Sequence, residues 1–323
     1  MNLYPVIQIL ADGQLHSGQE LATALGVSRT AVWKQLQLLE KDYALQVTAV
    51  RGQGYQLTQP LDLLDPERLR AYLEPEIEAQ LNLQLEPVLA STNDQLRMAP
   101  DSGAGYDLCV AEMQTAGKGR RGRRWHSPFA SNLYFSLAFD LDGGGAAVDG
   151  LSLVAGLSLA EALEGLGQNS VGLKWPNDVW LDGKKVAGIL VELQGEAQSG
   201  FRVVLGIGLN VYLMPAEGES IDQPWTSLQQ FNGVPQGGRN RLLAELLNHL
   251  IPQLDQFRAQ GFAPFHERWQ HFDALRHQSL FVPGREIRGN GAGVDSRGCL
   301  ILETEEGPRT LNAGEVSVRR EPA

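Results

Sequence analysis

The first 60 residues show the hydrophobic periodicity of three short helices followed by a hairpin. Apolar residues in the first ten positions recur at i, i+4 and i+7, which predicts a first helix. Ser17 and Glu20 have the spacing of a capping box, so a second helix should begin near Ser17 and end near Gly26. Ser28 is expected to cap a third helix with the same apolar spacing. The alternating run LQVTAVRGQGYQLT then predicts a β-hairpin.

Three helices and a hairpin in this order indicate a winged helix-turn-helix domain over residues 1–60. Its third helix should enter the major groove of DNA, and its hairpin should contact the backbone or the minor groove. The charges of this segment balance, so a protein-interaction module is the alternative. Most of its positive residues lie on the third helix or the hairpin, which favours DNA. The predicted DNA-contacting residues are Ser28, Arg29, Thr30, Trp33, Lys34, Gln35 and Arg51.

The rest of the chain divides into a large mixed segment and a small strand-rich one. The linker TQPLDLLDPE is followed by strand-like runs such as DLCVAEM and FRVVLGIGLNV, and by helix-like runs such as LSLVAGLSLAEALEGLG. They predict a mixed α/β domain over residues 61–272. Residues 273–323 carry short apolar runs and many glycines, which predicts about five strands in a small SH3-like barrel. The expected fold class is therefore α+β and multidomain.

Composition narrows the class of protein. At about 150 residues per domain, 323 residues correspond to two or three domains. Hydrophobic residues at 43% and charged residues at 20% exclude a largely disordered chain or a coiled-coil rod. A net charge of −11 argues against a uniformly basic nucleic-acid binder. We expect a cytoplasmic protein, since no apolar run reaches the roughly 20 residues of a membrane span. Cys109 and Cys299 lie in strand-like runs and should be buried thiols.

The segment GKGRRGRRW, residues 117–125, concentrates five positive charges in this acidic chain. No Asp or Glu occurs between Met113 and Phe139, and three glycines let the backbone approach a ligand. Guanidinium groups and free amides together suit a phosphate group. A solvated basic loop is the alternative. The glycines also match G-x-G-x-x-G, but no helix pattern follows them, which excludes a dinucleotide-binding fold. The segment also lacks the terminal G-K-[S/T] of a P-loop.

Two further clusters carry polar chemistry. The segment LKWPNDVWLDGKKVAGILVE places Asn177 and Asp178 after a Trp-Pro turn, and a carboxylate beside an amide suits a Mg²⁺–nucleotide site. Lys185 begins the following strand, in which Gly188 permits close backbone approach. An ordinary hairpin with surface lysines is the alternative. The triplet at residues 91–93 either binds a polar ligand group or caps a helix, and capping is the commoner use.

These pieces together resemble the biotin–protein ligases. The motifs STN, Q-x-A-G-[K/R]-G-R-R-G-R-x-W, KWPND and K-x-AGIL-x-E occur in this order, and the resemblance covers essentially the whole chain. The winged helix in front and the small barrel behind are similar to bacterial members that also repress the biotin operon. The second loop position is Lys118, where Arg also occurs in the family; Lys keeps the charge but loses the planar fork.

The resemblance implies a role for each matching residue. It assigns to biotin Ser91, Thr92, Asn93, Gln114, Lys118, Gly119, Arg120, Lys185 and Gly188. It assigns to the adenylate Arg120, Arg121, Arg123, Trp125, Asn177, Asn210 and Trp225. The implied catalytic residues are Lys185, Arg120 and Asp178. The Mg²⁺ ligands stay open, with Asp178 as the candidate.

The implied reaction uses ATP, Mg²⁺ and biotin to form biotinyl-5′-AMP. Biotin is then transferred to a lysine of the biotin carboxyl carrier protein of acetyl-CoA carboxylase. The adenylate would order a mobile loop at residues 117–124 and promote a homodimer that binds operator DNA, with 140–150 and 194–200 as candidate interface loops. Two alternatives remain: a DNA-binding sensor without catalysis, and a ligase for another carboxylate such as lipoate or octanoate.

Overall fold

A computed structural model describes residues 2–142, 145–196, 200–215, 217–219, 221–313 and 318–320. Its N-terminal unit contains the three helices and the hairpin that the sequence predicts. These are α1 (Tyr4–Leu10), α2 (Gly18–Leu25), α3 (Arg29–Tyr43), β1 (Val47–Val50) and β2 (Gly54–Leu57). Ser17 and Glu20 form the predicted capping box, and the Ser28 hydroxyl accepts from the Ala31 N–H at the start of α3.

The buried face of α3 corrects one prediction. Val32, Leu36 and Leu39 are buried at the predicted spacing, and Gln35 belongs to the same stripe because it lies three positions after Val32. Its side chain is only 7% exposed. The expectation that Gln35 faces DNA is therefore wrong for this structure.

The central unit is built on one seven-stranded sheet. Its strand order is β3-β4-β5-β9-β8-β7-β6, and every neighbouring pair is antiparallel except β3–β4. The strands are β3 (Leu81–Leu89), β4 (Tyr106–Gln114), β5 (Leu133–Leu141), β6 (Val171–Lys174), β7 (Asp178–Leu181), β8 (Lys184–Glu196) and β9 (Gly200–Leu209). The helices are α4 (Pro66–Arg70), α5 (Pro75–Glu78), α6 (Thr92–Met98), α7 (Leu151–Gly165), α8 (Gly238–Gln260) and α9 (His266–His271).

Helices cover the two faces of this sheet unequally. The long helices α7 and α8 form the main core with one face, where Leu137 and Leu205 point. On the opposite face, the helix that packs among the described residues is the short α6, whose Leu96 packs with Ala138 and Val204. Because successive strand residues alternate between faces, the small residues next to Ala138 and Val204 on this second face leave space beside α6.

The C-terminal unit is a five-stranded antiparallel sheet. Its strands are β10 (Ser279–Phe281), β11 (Arg288–Val294), β12 (Leu300–Thr304), β13 (Gly307–Leu311) and β14 (Arg319–Arg320). The order β13-β12-β11-β10-β14 leaves β13 and β14 at opposite edges. The number of strands agrees with the prediction, whereas the closed SH3-like barrel is not confirmed in the described residues, which omit 314–317 just before β14.

The linker between the first two units is held by a buried ion pair. The Arg239 guanidinium lies 2.8 Å from the Glu112 carboxylate, and both side chains are fully buried. Glu112 also accepts from the Leu64 backbone N–H at 2.6 Å. On the other side of the linker, the rings of Tyr43 and Phe129 meet edge to face with centroids 5.0 Å apart. The winged helix thus shares part of its core with the central unit.

Cys109 and Cys299 are buried free thiols, as expected. Among the described residues, no helix has both the length and the apolar character needed to cross a membrane. The candidate interface loops at 140–150 and 194–200 fall partly outside the described residues, at 143–144 and 197–199.

Candidate active site

A cavity that is open to solvent lies beside α6, on the sheet face that α7 and α8 leave uncovered. All nine residues assigned to biotin from the resemblance line it: Ser91, Thr92, Asn93, Gln114, Lys118, Gly119, Arg120, Lys185 and Gly188. Three of the residues assigned to the adenylate line it as well: Arg120, Trp125 and Asn177. The structure thus brings the basic loop, the STN triplet and the KWPND segment to one place.

Glycines form much of the floor. A Cβ atom on Gly206 would lie 2.1 Å from Asn93 Oδ1, and one on Gly208 would lie 2.3 Å from Trp125 Cε2. At Gly188 it would lie 2.9 Å from Trp125 Cζ3. Larger residues would therefore displace the side chains that shape the cavity. Sequence reasoning missed Gly206 and Gly208, although the run GIG inside a strand is the usual signal of close approach.

Gln114 connects the STN triplet to the segment after the basic loop. Its side-chain oxygen accepts from the Thr92 backbone N–H at 2.9 Å and from the Thr92 hydroxyl at 3.2 Å. Its amide nitrogen donates to Ser127 Oγ at 3.2 Å. Ser91 caps α6, so this triplet both caps a helix and lines the cavity. The two uses that the sequence presented as alternatives occur together.

A second polar chain runs beneath the triplet. The buried Ser136 hydroxyl lies 2.7 Å from Thr92 Oγ1 and 2.6 Å from Asn93 Oδ1. The Asn93 amide nitrogen donates to the Glu192 carboxylate at 2.8 Å. These bonds fix the orientation of Asn93 before any ligand arrives. Sequence reasoning missed Ser136, whose signal is a single hydroxyl in the apolar strand LYFSLAFDL.

The basic loop closes on itself. The Gly119 N–H donates to the Arg123 carbonyl at 2.7 Å, and the Trp125 N–H donates to the Gly117 carbonyl at 2.9 Å. Between them lies one short 3₁₀ turn, Arg120–Gly122, rather than an α-helix. This agrees with the exclusion of a dinucleotide-binding fold. The turn directs Arg120 into the cavity, whereas Arg121 lies on the outer side.

Arg120 is the cation that points inward. Its guanidinium donates to Asn177 Oδ1 at 3.1 Å and to the Ala313 carbonyl of the C-terminal unit. Burial lowers the pKa of Arg120, and the negative charge of Asp178 opposes that shift. At the rim of the cavity, the Lys118 ammonium pairs with the Asp94 carboxylate at 2.5 Å.

Lys185 lies deepest among the lysines that line the cavity. Its ammonium is 2.7 Å from the Asp178 carboxylate and 5.3 Å from the centroid of the Trp125 ring. Its backbone N–H donates to the Pro224 carbonyl at 3.1 Å, and its carbonyl accepts from Thr226 at 2.9 Å. The segment that contains Trp225 therefore positions the Lys185 backbone.

Four residues assigned to the adenylate lie outside this cavity. Arg121 and Arg123 line a broad open depression of about 1090 Å³ on the outer side of the basic loop. Asn210 is buried, and its amide donates to the Thr226 carbonyl at 3.0 Å. The Trp225 ring lies against Gly218, where a Cβ would approach to 2.0 Å.

The predicted DNA-contacting residues form a separate surface. Arg29, Thr30, Trp33 and Lys34 are exposed on the first half of α3, with Trp33 at 52% exposure. Ser28 is exposed and caps this helix, and Arg51 is exposed at the turn of the hairpin. These six residues are the predicted DNA-contacting residues other than Gln35, which is buried.

Comparisons with known proteins place these features in one family. Three family models match: "Biotin/lipoate A/B protein ligase family" over 86–210, "HTH domain" over 3–56 and "Biotin protein ligase C terminal domain" over 280–319. "Bifunctional ligase/repressor BirA" of Salmonella typhimurium is 40% identical over 316 residues, or 97% of this chain and 96% of the relative. The chain belongs to the biotin protein ligase family.

Within that family the chain is of the bifunctional ligase/repressor type. The Bacillus subtilis protein of that type is 31% identical and covers 95% of both chains. The solved biotin protein ligase of Aquifex aeolicus in complex with biotin and ATP has a TM-score of 0.63 and 32% identity. The match covers 74% of this chain and 99% of the Aquifex aeolicus chain. The enzymatic part of the family is thus joined here to a helix-turn-helix domain.

Proposed function

We propose that this biotin protein ligase activates biotin with ATP as biotinyl-5′-AMP and transfers it to a lysine of a biotin carboxyl carrier protein. We propose further that the adenylate acts as corepressor for a biotin operon. The observation that carries the first proposal is the single cavity that holds Arg120 and Lys185 together with the polar STN wall. Two anions must meet in the first step, and these two cations can neutralise their charge.

Lys185 and Arg120 have different environments that suit different tasks. Lys185 is a compact cation of low exposure, held on a strand and beside Asp178, so it can stabilise the attacking carboxylate and the α-phosphate. Arg120 lies on a short turn and bridges to Asn177 and the C-terminal unit, so its planar guanidinium can follow the phosphoryl group. Both groups would lower the barrier by neutralising developing negative charge.

Transfer to the carrier lysine requires that water is kept from the mixed anhydride. The loop at 117–125 lies over the cavity, and Trp125 covers Gly188 and Gly208 beneath it. We propose that this loop is mobile without ligand and ordered over the adenylate, which would shield the intermediate until an amine arrives. The buried indole N–H of Trp125 has no hydrogen-bond partner in the described part of the chain, so it can serve as a further donor.

Mg²⁺ is proposed to enter with ATP. The described residues contain no cluster of three or more His, Cys, Asp or Glu side chains that would form a protein-only metal site. One carboxylate together with substrate phosphates is the usual arrangement for Mg²⁺, and Asp178 fits that requirement. Bound there, the ion would neutralise phosphate charge.

We propose that the chain has three domains, at residues 1–60, 61–272 and 273–323, and that the first of them has the regulatory role. The exposed face of α3 would read the major groove, and a homodimer formed on adenylate binding would place two such helices on a two-fold operator. Because DNA, ATP and the carrier protein are the partners, the proposed compartment is the cytoplasm.

The deciding experiment supplies full-length protein with labelled biotin, Mg²⁺-ATP and a purified carrier domain. We expect label on the carrier lysine, and no label would refute the ligase proposal and leave a DNA-binding sensor. Parallel reactions with lipoate and octanoate test the other acyl ligases, for which we expect no transfer. A mobility-shift assay on operator DNA should show tighter binding with biotin and ATP than without them, whereas equal shifts would refute the corepressor role.

A further inference from the structure

Lys174 is a partly buried lysine that lies outside the cavity and has no assigned role. It is directly opposite Asp178 in the β6–β7 pair, so the two side chains are on the same face of the sheet. Asp178 nevertheless pairs with Lys185, at 2.7 Å. Within the described part of the chain, the Lys174 ammonium forms no ion pair, and its nearest aromatic partner is Trp180, 5.2 Å from the ring centroid.

A second cation reaches the same indole from the C-terminal unit. The Arg320 guanidinium lies 4.9 Å from the centroid of the Trp180 ring and also donates to the Ala274 carbonyl at 2.5 Å. Trp180 therefore carries two positive groups from two different units of the protein. Trp180 lies two residues beyond Asp178 on the same strand face, so these cations continue the row that begins with Lys185 in the cavity.

Within the described part of the chain, more cations than carboxylates act on the Lys174 ammonium. Lys185, Arg123 and Arg319 all repel the Lys174 ammonium, and Asp178 is the carboxylate that attracts it. Burial and this repulsion lower the pKa of Lys174. A polyanion along the row would relieve the repulsion, and it would form charge-assisted hydrogen bonds with groups that already face it.

We propose that Lys174, with Arg320 beside it on Trp180, binds the terminal phosphates of the nucleotide and the inorganic pyrophosphate released from them. The inference rests on the proposed function for the identity of the substrate, because the α-phosphate would lie at Lys185 and the next two phosphates would extend toward Lys174. Lys174 is a substrate-binding residue for the adenylation step in this view and has no task in the transfer of biotin to the carrier.

The test uses the full-length protein and inorganic tripolyphosphate with Mg²⁺, titrated by calorimetry. Lys174→Met keeps an unbranched side chain beside Trp180 and removes the charge, so binding should weaken by roughly tenfold, as expected for one lost charge-assisted bond. Lys174→Arg should largely restore it, and Arg320→Met should weaken it as well. The exposed neighbour Lys184 provides the matched control, since Lys184→Met should bind as the wild type does.

The rates of the two half-reactions distinguish the loss of a phosphate-binding residue from a general loss of enzyme activity. With Lys174→Met, exchange of labelled pyrophosphate into ATP should fall, whereas transfer from supplied biotinyl-5′-AMP to a carrier domain should stay within about twofold of wild type. Equal loss in both half-reactions, unchanged tripolyphosphate binding in Lys174→Met, or no binding by the wild type would overturn the proposal. If the wild type binds tripolyphosphate through Lys174 but catalyses no exchange, the phosphate site stands and the proposed ligase function fails.

Discussion

The Lys185 ammonium lies 2.7 Å from the Asp178 carboxylate, and each side chain is only 13% exposed. An ion pair with so little solvent holds both groups in a fixed orientation at the bottom of the cavity. A substrate carboxylate and a phosphate would meet this lysine already oriented. The proposed adenylation thus takes place around this ion pair.

Replacing Lys185 tests that centre directly. We expect Lys185→Met to reduce biotin-dependent pyrophosphate exchange by at least roughly 100-fold, since a preorganised charge at the reacting groups is lost. The measurement is exchange at saturating ATP and biotin, with circular dichroism to show that the fold is retained. Lys184→Met serves as the control one residue away, and a Lys185→Met enzyme with near wild-type exchange would remove Lys185 from the mechanism.

Arg120→Gly should separate adenylate formation from adenylate retention. The substitution removes the bonds to Asn177 and to the Ala313 carbonyl, so the loop loses its attachment on the far side of the cavity. We expect biotinyl-5′-AMP to escape and to label bystander proteins, measured as biotin on added albumin. Arg124→Gly, in the same loop but on its outer side, should retain the adenylate. Equal retention in both variants would contradict the assignment of Arg120.

The buried pair of Arg239 and Glu112 predicts a large stability effect away from the cavity. Arg239→Met leaves the Glu112 carboxylate buried without its partner, which should lower the free energy of unfolding by about 3–5 kcal/mol. Urea unfolding followed by tryptophan fluorescence provides the measurement. Arg241→Met disrupts a partly exposed pair with Glu245 on the same helix and should cost less than about 1 kcal/mol. A loss of similar size in both variants would show that burial does not set the cost.

DNA binding should depend on the first half of α3 rather than its end. Lys34→Ala should weaken operator binding and reduce the slope of log K against log salt by about one, because one phosphate contact is lost. Lys41→Ala lies in the last turn of α3 and should leave the slope unchanged. Fluorescence anisotropy over a range of salt concentrations measures both. Equal slopes for Lys34→Ala and the wild type would place Lys34 outside the DNA interface.

Cys109 provides a prediction about pH. Burial raises the pKa of its thiol from the usual 9.0 to about 12, so the folded state favours the neutral form. Because the folded pKa exceeds the unfolded one, this stabilising contribution is complete below pH 9 and is lost as pH rises toward 12. Iodoacetamide at pH 8.5 should therefore leave Cys109 unmodified until the protein is unfolded, as measured by peptide mass spectrometry. Rapid alkylation in the native protein would contradict this burial.

Local sequence patterns were sufficient to predict several parts of this structure. The capping box at Ser17 and Glu20 and the apolar spacing of α3 predicted the winged helix, because helix starts and faces depend on neighbours within one or two turns. The resemblance of the short motifs to those of the biotin–protein ligases supplied the nine residues assigned to biotin, and all of them line one cavity. The same spacing rule, applied to Gln35, would have placed it on the buried stripe with Val32.

Contacts between distant segments determined the features of the site that local patterns did not predict. Gly206 lies on the floor and Ser136 lies beneath the triplet because strand pairing joins β5 to β9, and no local pattern specifies that pairing. Arg120 meets the Ala313 carbonyl across 193 positions, and Asn210 is turned to a backbone carbonyl instead of the cavity. Periodicity along a chain fixes the direction of a side chain relative to its own helix or strand. It does not fix what lies opposite, which depends on how the strands and helices pack against one another.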